Sequence, residues 1–168
     1  MASGQIMQIL GVVQPAADYA EQDTITGGST PAEIVDVYDF DPGSTNEHLD
    51  VYFKLDSYAG GGLTVTGDWT SEATSGNAII GAAIRRTDSA ITASHTYDFN
   101  DQAAQATNAT ARIPTEFTVT FTDGADMDSL ADGEVGILRL RRNSNAAGDT
   151  LNSNDLELWI NSITIKET

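Results

Sequence analysis

What most constrains this chain is a two-residue alternation of apolar and polar side chains that recurs in short runs. Leu49, Val51, Phe53 and Leu55 alternate with Asp50, Tyr52, Lys54 and Asp56; beyond three consecutive glycines, Leu63, Val65, Gly67 and Trp69 alternate with Thr64, Thr66, Asp68 and Thr70. A period of two puts one row on each face of a strand, whereas a helix repeats every 3.6 residues. The glycines at 60–62 therefore read as a corner between two strands. A phosphate cradle would have to open a helix, whose free amides bind the anion.

The same pattern continues along the chain. Strands are expected at "EIVDVYDF", "LDVYFKLD", "LTVTGDW", "NAIIGAAIRR", "HTYDF", "TEFTVTFT", "EVGILRLRR" and "DLELWINSITIKE", separated by Gly, Asn and Asp clusters such as "DPGSTN", "TSGN", "TDGAD", "ADGE" and "NAAGD". Such clusters supply positive φ angles or local side-chain bonds. About eight short strands without a long helical period predict an all-β fold, a jelly-roll-like antiparallel β-sandwich. The expected inward rows include Phe117, Val119 and Phe121, then Leu138 and Leu140, then Leu156, Leu158 and Ile160, with Trp69 in the core. Ile163 and Ile165 have the opposite phase from Ile160, which predicts a bulge or a change of sheet near Asn161 and Ser162. "DMDSL" suggests one helical turn.

Residues 1–31 differ from the rest: a short apolar piece (Ile6, Ile9, Leu10, Val12, Val13) leads into the connector "DTITGGSTP". They read as an N-terminal arm and connector before a single sandwich domain over 32–168. The arm either lies as an edge strand on its own sheet or reaches onto a neighbouring subunit.

At 168 residues the chain can bury roughly 70% of its unfolded surface in one core. It has no cysteine, so disulfides, zinc-thiolate sites and cysteine nucleophiles are excluded. The 25 acidic residues outnumber the 8 basic ones and give a net charge of -17, which argues against nucleic acid as a partner. The uncharged start "MASGQIMQILGVVQP" does not read as a secretory signal, and no apolar run is long enough to cross a bilayer, so no membrane partner is expected.

With these strands placed, "YAGGGLTVTGDWTSEATSGNAIIGAAIRR", "TVTFTDGADMDSLADGEVGILRLRR" and the closing "ITIKET" resemble small proteins encoded among the virion genes of tailed bacteriophages; the match runs from Tyr58 to Thr168. The resemblance implies a jelly-roll capsid decoration or other virion-surface protein on the outer surface of the capsid. Its partners would be the major capsid protein and further copies of itself, most simply a homotrimer. A second resemblance is to jelly-roll carbohydrate-binding modules, whose last strand often carries an apolar-Asp-Asn or Asp-Asp sequence before a β-branched pair. Here "LWINSITI" has Asn161 and Ser162 at that place, and without the carboxylate the calcium site implied by the comparison is weakened.

Few residues suggest chemistry. Asp123, Asp126, Asp128, Asp132 and Glu134 form an acidic group that a hard cation such as calcium would take, as do Asp39 and Asp41 on a smaller scale. The spacing does not match the helix-loop-helix calcium pattern, and solvated turns are the plainer reading. Otherwise no cofactor is expected. His48 and His95 are the only histidines, there is no Gly-x-Ser-x-Gly elbow, and a non-enzymatic protein is expected. Paired carboxylates for glycoside cleavage stay open, because their separation belongs to the structure.

Binding surfaces are better supported. Trp159 shares a predicted outward face with Glu157 and Asn161, suited to a subunit contact or a sugar ring, with packing under the arm as the alternative. Arg85, Arg86, Arg139, Arg141 and Arg142 form a positive group if their two strands share a sheet; they would accept acids of an adjoining copy or neutralise carboxylates of their own chain. The leading expectation is a capsid decoration protein that bridges shell subunits through its arm (Ile6, Ile9, Leu10) and one face. The alternative is a carbohydrate-binding module or receptor-binding piece of a tail fibre, with Trp159, Tyr58 or Tyr97 as stacking platforms.

Overall fold

The computed structural model describes residues 8–43, 45–87, 95–151 and 155–168. In chain order its strands are β1 (Gln8–Val13), β2 (Glu21–Gly27), β3 (Glu33–Phe40), β4 (His48–Lys54), β5 (Leu63–Thr70), β6 (Asn77–Ala78), β7 (Ile80–Arg86), β8 (Asn100–Asp101), β9 (Gln105–Ala106), β10 (Thr115–Phe121), β11 (Val135–Arg142) and β12 (Leu156–Glu167). A 3-10 turn, Ala125–Met127, lies between β10 and β11, where the sequence suggested one helical turn. The first sheet runs β1-β4-β11-β7-β8, the second β10-β5-β12-β3-β2, and β6 pairs with β9. All the strand pairs are antiparallel. The chain crosses from the first sheet to the second between β1 and β2, returns between β3 and β4, crosses at the glycine corner to β5, returns for β7 and β8, crosses to β10, returns at β11 and ends in the second sheet with β12. This is the jelly-roll-like β-sandwich that the alternation predicts.

The inward rows meet as one core. Leu49, Val51 and Phe53 of β4 and Leu138 and Leu140 of β11 are buried together with Leu63, Val65 and Trp69 of β5 and Phe117, Val119 and Phe121 of β10. Trp69 is fully buried, and its indole N–H donates to Gln105 Oε1 at 3.3 Å, so its one polar atom is satisfied. At the corner, Gly62 has φ +88°, and a Cβ there would strike the Phe121 carbonyl oxygen. The Gly62 amide donates to the Tyr58 hydroxyl (3.0 Å), which itself donates to Asp123 (2.7 Å). Burial and then this bond to Asp123 push the Tyr58 hydroxyl up to about 12. Tyr58 is thus committed to the corner rather than offered as a stacking platform.

The expected slip in β12 is present: its register with β5 shifts between Trp159 and Thr164. Ser162 marks the place, donating to the Trp159 carbonyl (2.7 Å) and accepting from the Asp68 amide (2.6 Å). Two expectations need correction. "NAIIGAAIRR", expected as one strand, is divided at Ile79 into β6 and β7, and Ile80–Ile84 is buried on both faces, with Gly81 and Ala83 lying beside Arg141 and Arg139 of β11. "HTYDF" joins no ladder; residues 95–99 precede the two-residue β8, and their aromatic side chains bind arginine instead of lining the core.

The arm lies on its own molecule over its described length. β1 is the edge of the first sheet beside β4, and β2 the edge of the second beside β3. Ile6 lies outside the described residues. At one end of the sandwich the segment after β11 is tied by Arg142, buried with Asp149: Nη2 to Oδ1 is 2.9 Å, Nε to Oδ2 3.1 Å, and Nη1 donates to the Phe40 carbonyl at 3.2 Å. No helix among the described residues is long and apolar enough to cross a membrane.

Candidate ligand-binding face

On the outer face of the first sheet, β11 presents Val135, Ile137, Arg139 and Arg141. The register sets Asp50 of β4 opposite Arg139, His48 opposite Arg141 and Tyr52 opposite Ile137; on the other side, Ala83, Gly81 and Arg85 of β7 oppose the same three. Arg139 grips Asp50 with both arms of its fork, Nε to Oδ1 at 2.6 Å and Nη2 to Oδ2 at 2.7 Å. Burial is the largest single influence and disfavours the guanidinium charge, but the bond to Asp50, the charge of Asp50 and the nearby Tyr97 and Tyr52 together outweigh it and move the Arg139 pKa upward. Arg141 donates to both oxygens of Asp101 at 3.0 Å. This pair sits over Gly81, where a Cβ would collide with Asp101 Oδ1 and meet Arg141 Nε at 2.9 Å.

Residues 95–99 lay two rings over this layer. Tyr97 stacks on the Arg139 guanidinium and Phe99 on that of Arg141, each 3.9 Å from carbon to ring centre. The Phe99 ring centre is 5.7 Å from that of His48 and 6.3 Å from that of Tyr97. Each cation–π contact contributes about 0.5–2 kcal/mol, more as water is excluded. Burial lowers the His48 pKa; the Asp18 carbonyl opposes the shift, and the charges of Arg139 and Arg141 reinforce it. Arg85, beside Ile137, keeps Nε and Nη1 without a hydrogen-bond partner. Arg139 and Arg141 thus neutralise carboxylates of their own chain, one of the two courses read from the sequence. The arrangement is a fixed, half-buried surface of rings and oriented N–H donors.

Trp159 and Glu157 lie elsewhere, on the outer face of the second sheet. Glu157 has Thr70 of β5 on one side and Asp39 of β3 on the other, and Asp39 in turn has Glu21 of β2 beside it. Trp159 lies between Asp68 and Val37; its indole N–H has no acceptor. Arg112 approaches Glu72 at 2.6 Å and Glu157 at 3.5 Å. Burial, followed by Glu157 and Asp23, raises the Asp39 carboxyl to about 7. The candidate contact residues therefore divide into separate surfaces: Arg85, Arg139 and Arg141 on one sheet, Glu157 and Trp159 on the other, and Ile9 and Leu10 at an edge.

The acidic group after β10 does not converge. Asp123 accepts from the Tyr58 hydroxyl (2.7 Å), Asp126 from the Thr122 amide (2.7 Å) and Asn100 (3.0 Å), and Asp128 from the Arg86 amide (3.1 Å). Asp132 accepts from the Tyr58 amide and Glu134 from the Ala131 amide. Asp123 and Asp132 both hold Tyr58, the other three bond to other amides, and the described residues contain no cluster of three or more His, Cys, Asp or Glu arranged for a metal ion. Spacing brought Asp123, Asp126 and Asp128 close in sequence; turn geometry points them apart.

Asp50, Tyr52, His48, Phe99, Asp101 and Gly81 were not singled out for this surface. The outward phase of Asp50 and Tyr52 was visible, but the register that pairs Asp50 with Arg139 was not.

No family model and no curated protein sequence matches the chain. Among solved structures, it is similar to the CBM22-1–GH10 modules of a Clostridium thermocellum endo-1,4-β-D-xylanase complexed with xylohexaose (11% identity, TM-score 0.48). All of this chain is covered there, but it spans only 29% of that protein. It is also similar to a family 11 carbohydrate-binding module from Clostridium thermocellum complexed with a β-1,3-1,4-mixed-linked tetrasaccharide (11% identity, TM-score 0.45), covering 98% of this chain and 96% of that one. A third similarity is to the enzymatically active domain of bacteriophage CBA120 tailspike protein 4 (8% identity, TM-score 0.39), covering 92% of this chain and 19% of that one. At such identities no residue's role transfers to this chain.

Proposed function

We propose that this protein is a non-catalytic carbohydrate-binding module that reads a glycan on the outer face of its first sheet. One observation carries the reading: Tyr97 and Phe99 stack on guanidinium groups that Asp50 and Asp101 hold in place. A sugar offers an apolar C–H face and a rim of hydroxyls. Rings supply contact area for the first, and pre-oriented donors and acceptors bond the second without further ordering cost. A receptor-reading part of a phage tail fibre would be a natural setting. The capsid-decoration reading draws on the sequence resemblance.

A glycan array followed by calorimetry tests the proposal. Reproducible binding to one sugar family, weakened at least tenfold by Tyr97→Ala in a variant with unchanged circular dichroism, is expected. Failure to bind any glycan, or binding indifferent to Tyr97→Ala, overturns it.

A further inference from the structure

The two sheets have four edges, and three are blunted. Along β10 the exposed backbone is matched by side chains: Gln105 donates to the Glu116 carbonyl, the Thr118 amide donates to Gln102 (3.1 Å), Asn100 donates to the Thr120 carbonyl (2.9 Å), and the Thr122 amide donates to Asp126 (2.7 Å). Polar side chains thus stand where another strand would add. β8 is two residues long, with Asp101 held by Arg141 and Asn143. β2 carries Glu21 and Asp23, which repel a second acidic chain. Short length, charge and coverage are the usual means of preventing strand addition.

Among the described residues β1 is neither short, charged nor covered, and a register shift is its one irregularity. Its sequence, QILGVV, is uncharged in a molecule of net charge -17, and it ends the first sheet. Ile9 (38%), Leu10 (49%) and Val13 (50%) are exposed along it, and Tyr19 (40%), bridged to His48, continues the strip beside β4. The ladder shifts at Leu10, between Ile9 and Gly11. Two copies of so acidic a chain repel almost everywhere, and this strip is where they meet without adding like charge. Antiparallel pairing about a two-fold axis also sets the Gln8 end of one β1, which lies next to exposed Lys54, beside the end of the other that leads to exposed Asp18. A parallel arrangement would bring like ends together.

We infer that a second copy of this chain docks on β1, edge to edge and antiparallel, extending the first sheet across an isologous dimer. The remaining edges stop growth at two. The strip is short, so the dimer is concentration-dependent, and screening of the net charge by salt strengthens it.

Sedimentation velocity of the full chain over a range of concentrations, at low salt and in about 0.5 M NaCl, where the Debye length is only a few ångströms, tests this. A monomer–dimer equilibrium shifted toward dimer by salt is expected, with Leu10→Glu/Val13→Glu at least tenfold weaker. Hydrogen exchange of the wild type, read at both ends of the concentration range, covers the case in which that variant misfolds: amides of β1 slow on dimerisation while those of β2 do not. A monomer at every concentration, a trimer, a dimer indifferent to the double substitution, or unchanged exchange in β1 overturns the inference.

Discussion

The two outer faces of the sandwich come from the same kind of sequence and behave in opposite ways. On the first sheet, antiparallel register brings Arg139 opposite Asp50 and lets Arg141 reach Asp101, so charge meets countercharge under stacked rings. On the second, the row Thr70, Glu157, Asp39, Glu21 brings acid beside acid, and Asp39 Oδ1, Glu157 Oε2 and Thr70 Oγ1 are all buried without partners. Opposite charges across a strand pair stabilise by about 0.2–1 kcal/mol, and like charges destabilise. Alternation assigns a residue to a face; register decides whether that face is locked or strained.

The largest test breaks the locked face. Asp50→Asn leaves the Arg139 guanidinium half-buried without its countercharge, and removing one partner of a buried pair costs about 3–5 kcal/mol. Because Arg139 keeps some solvent contact, about 3 kcal/mol is expected, read as a lower urea midpoint at unchanged slope. A change below about 1 kcal/mol, the range of exposed surface pairs, would mean that this bond adds no more than an ordinary surface contact.

Gly81→Ala attacks the same face sterically. A Cβ there overlaps Asp101 and Arg141, and overpacking costs about 1–3 kcal/mol. An alanine elsewhere in a strand interior would normally gain over glycine, so a loss of stability reports the close approach itself.

How much of this was legible follows from what alternation encodes. The core rows, the phase slip at Ser162 and the glycine corner were readable, because each is set by neighbours one to four residues away. The grouping of Arg85 with Arg139 and Arg141 was readable once their strands shared a sheet. The Asp50–Arg139 pair, 89 residues apart, was not, since nothing local fixes register between distant strands. Tyr97 and Phe99 misled for a related reason: "HTYDF" alternates like a strand, but its rings bind guanidinium groups and its backbone joins no ladder. The separate partners of the acids at 123, 126 and 128 were not legible, because closeness in sequence does not say where side chains point in a turn.

The smallest effect sharpens the comparison most, because the two faces titrate with opposite sign. Burial and neighbouring acids raise Asp39 to about 7 from its ordinary 3.8, so the folded chain holds that proton more tightly than the unfolded one. Its contribution to stability is complete below about pH 4 and is lost as pH rises through about 7. Burial lowers His48 below its ordinary 6.5, so its contribution is present above that value and is lost as pH falls through its depressed folded value. Asp39 is partly exposed; after allowance for solvent screening its effect is on the order of 1 kcal/mol. Thermal melts from pH 4 to pH 8 should therefore show Asp39→Asn flattening the decline toward pH 8, and His48→Gln flattening the decline toward acid while leaving the other limb intact. If Asp39→Asn keeps the full alkaline decline, the strain attributed to the second face resides in Glu157 and Asp155, whose carboxyls are also raised by burial, and Asp39 is not its centre.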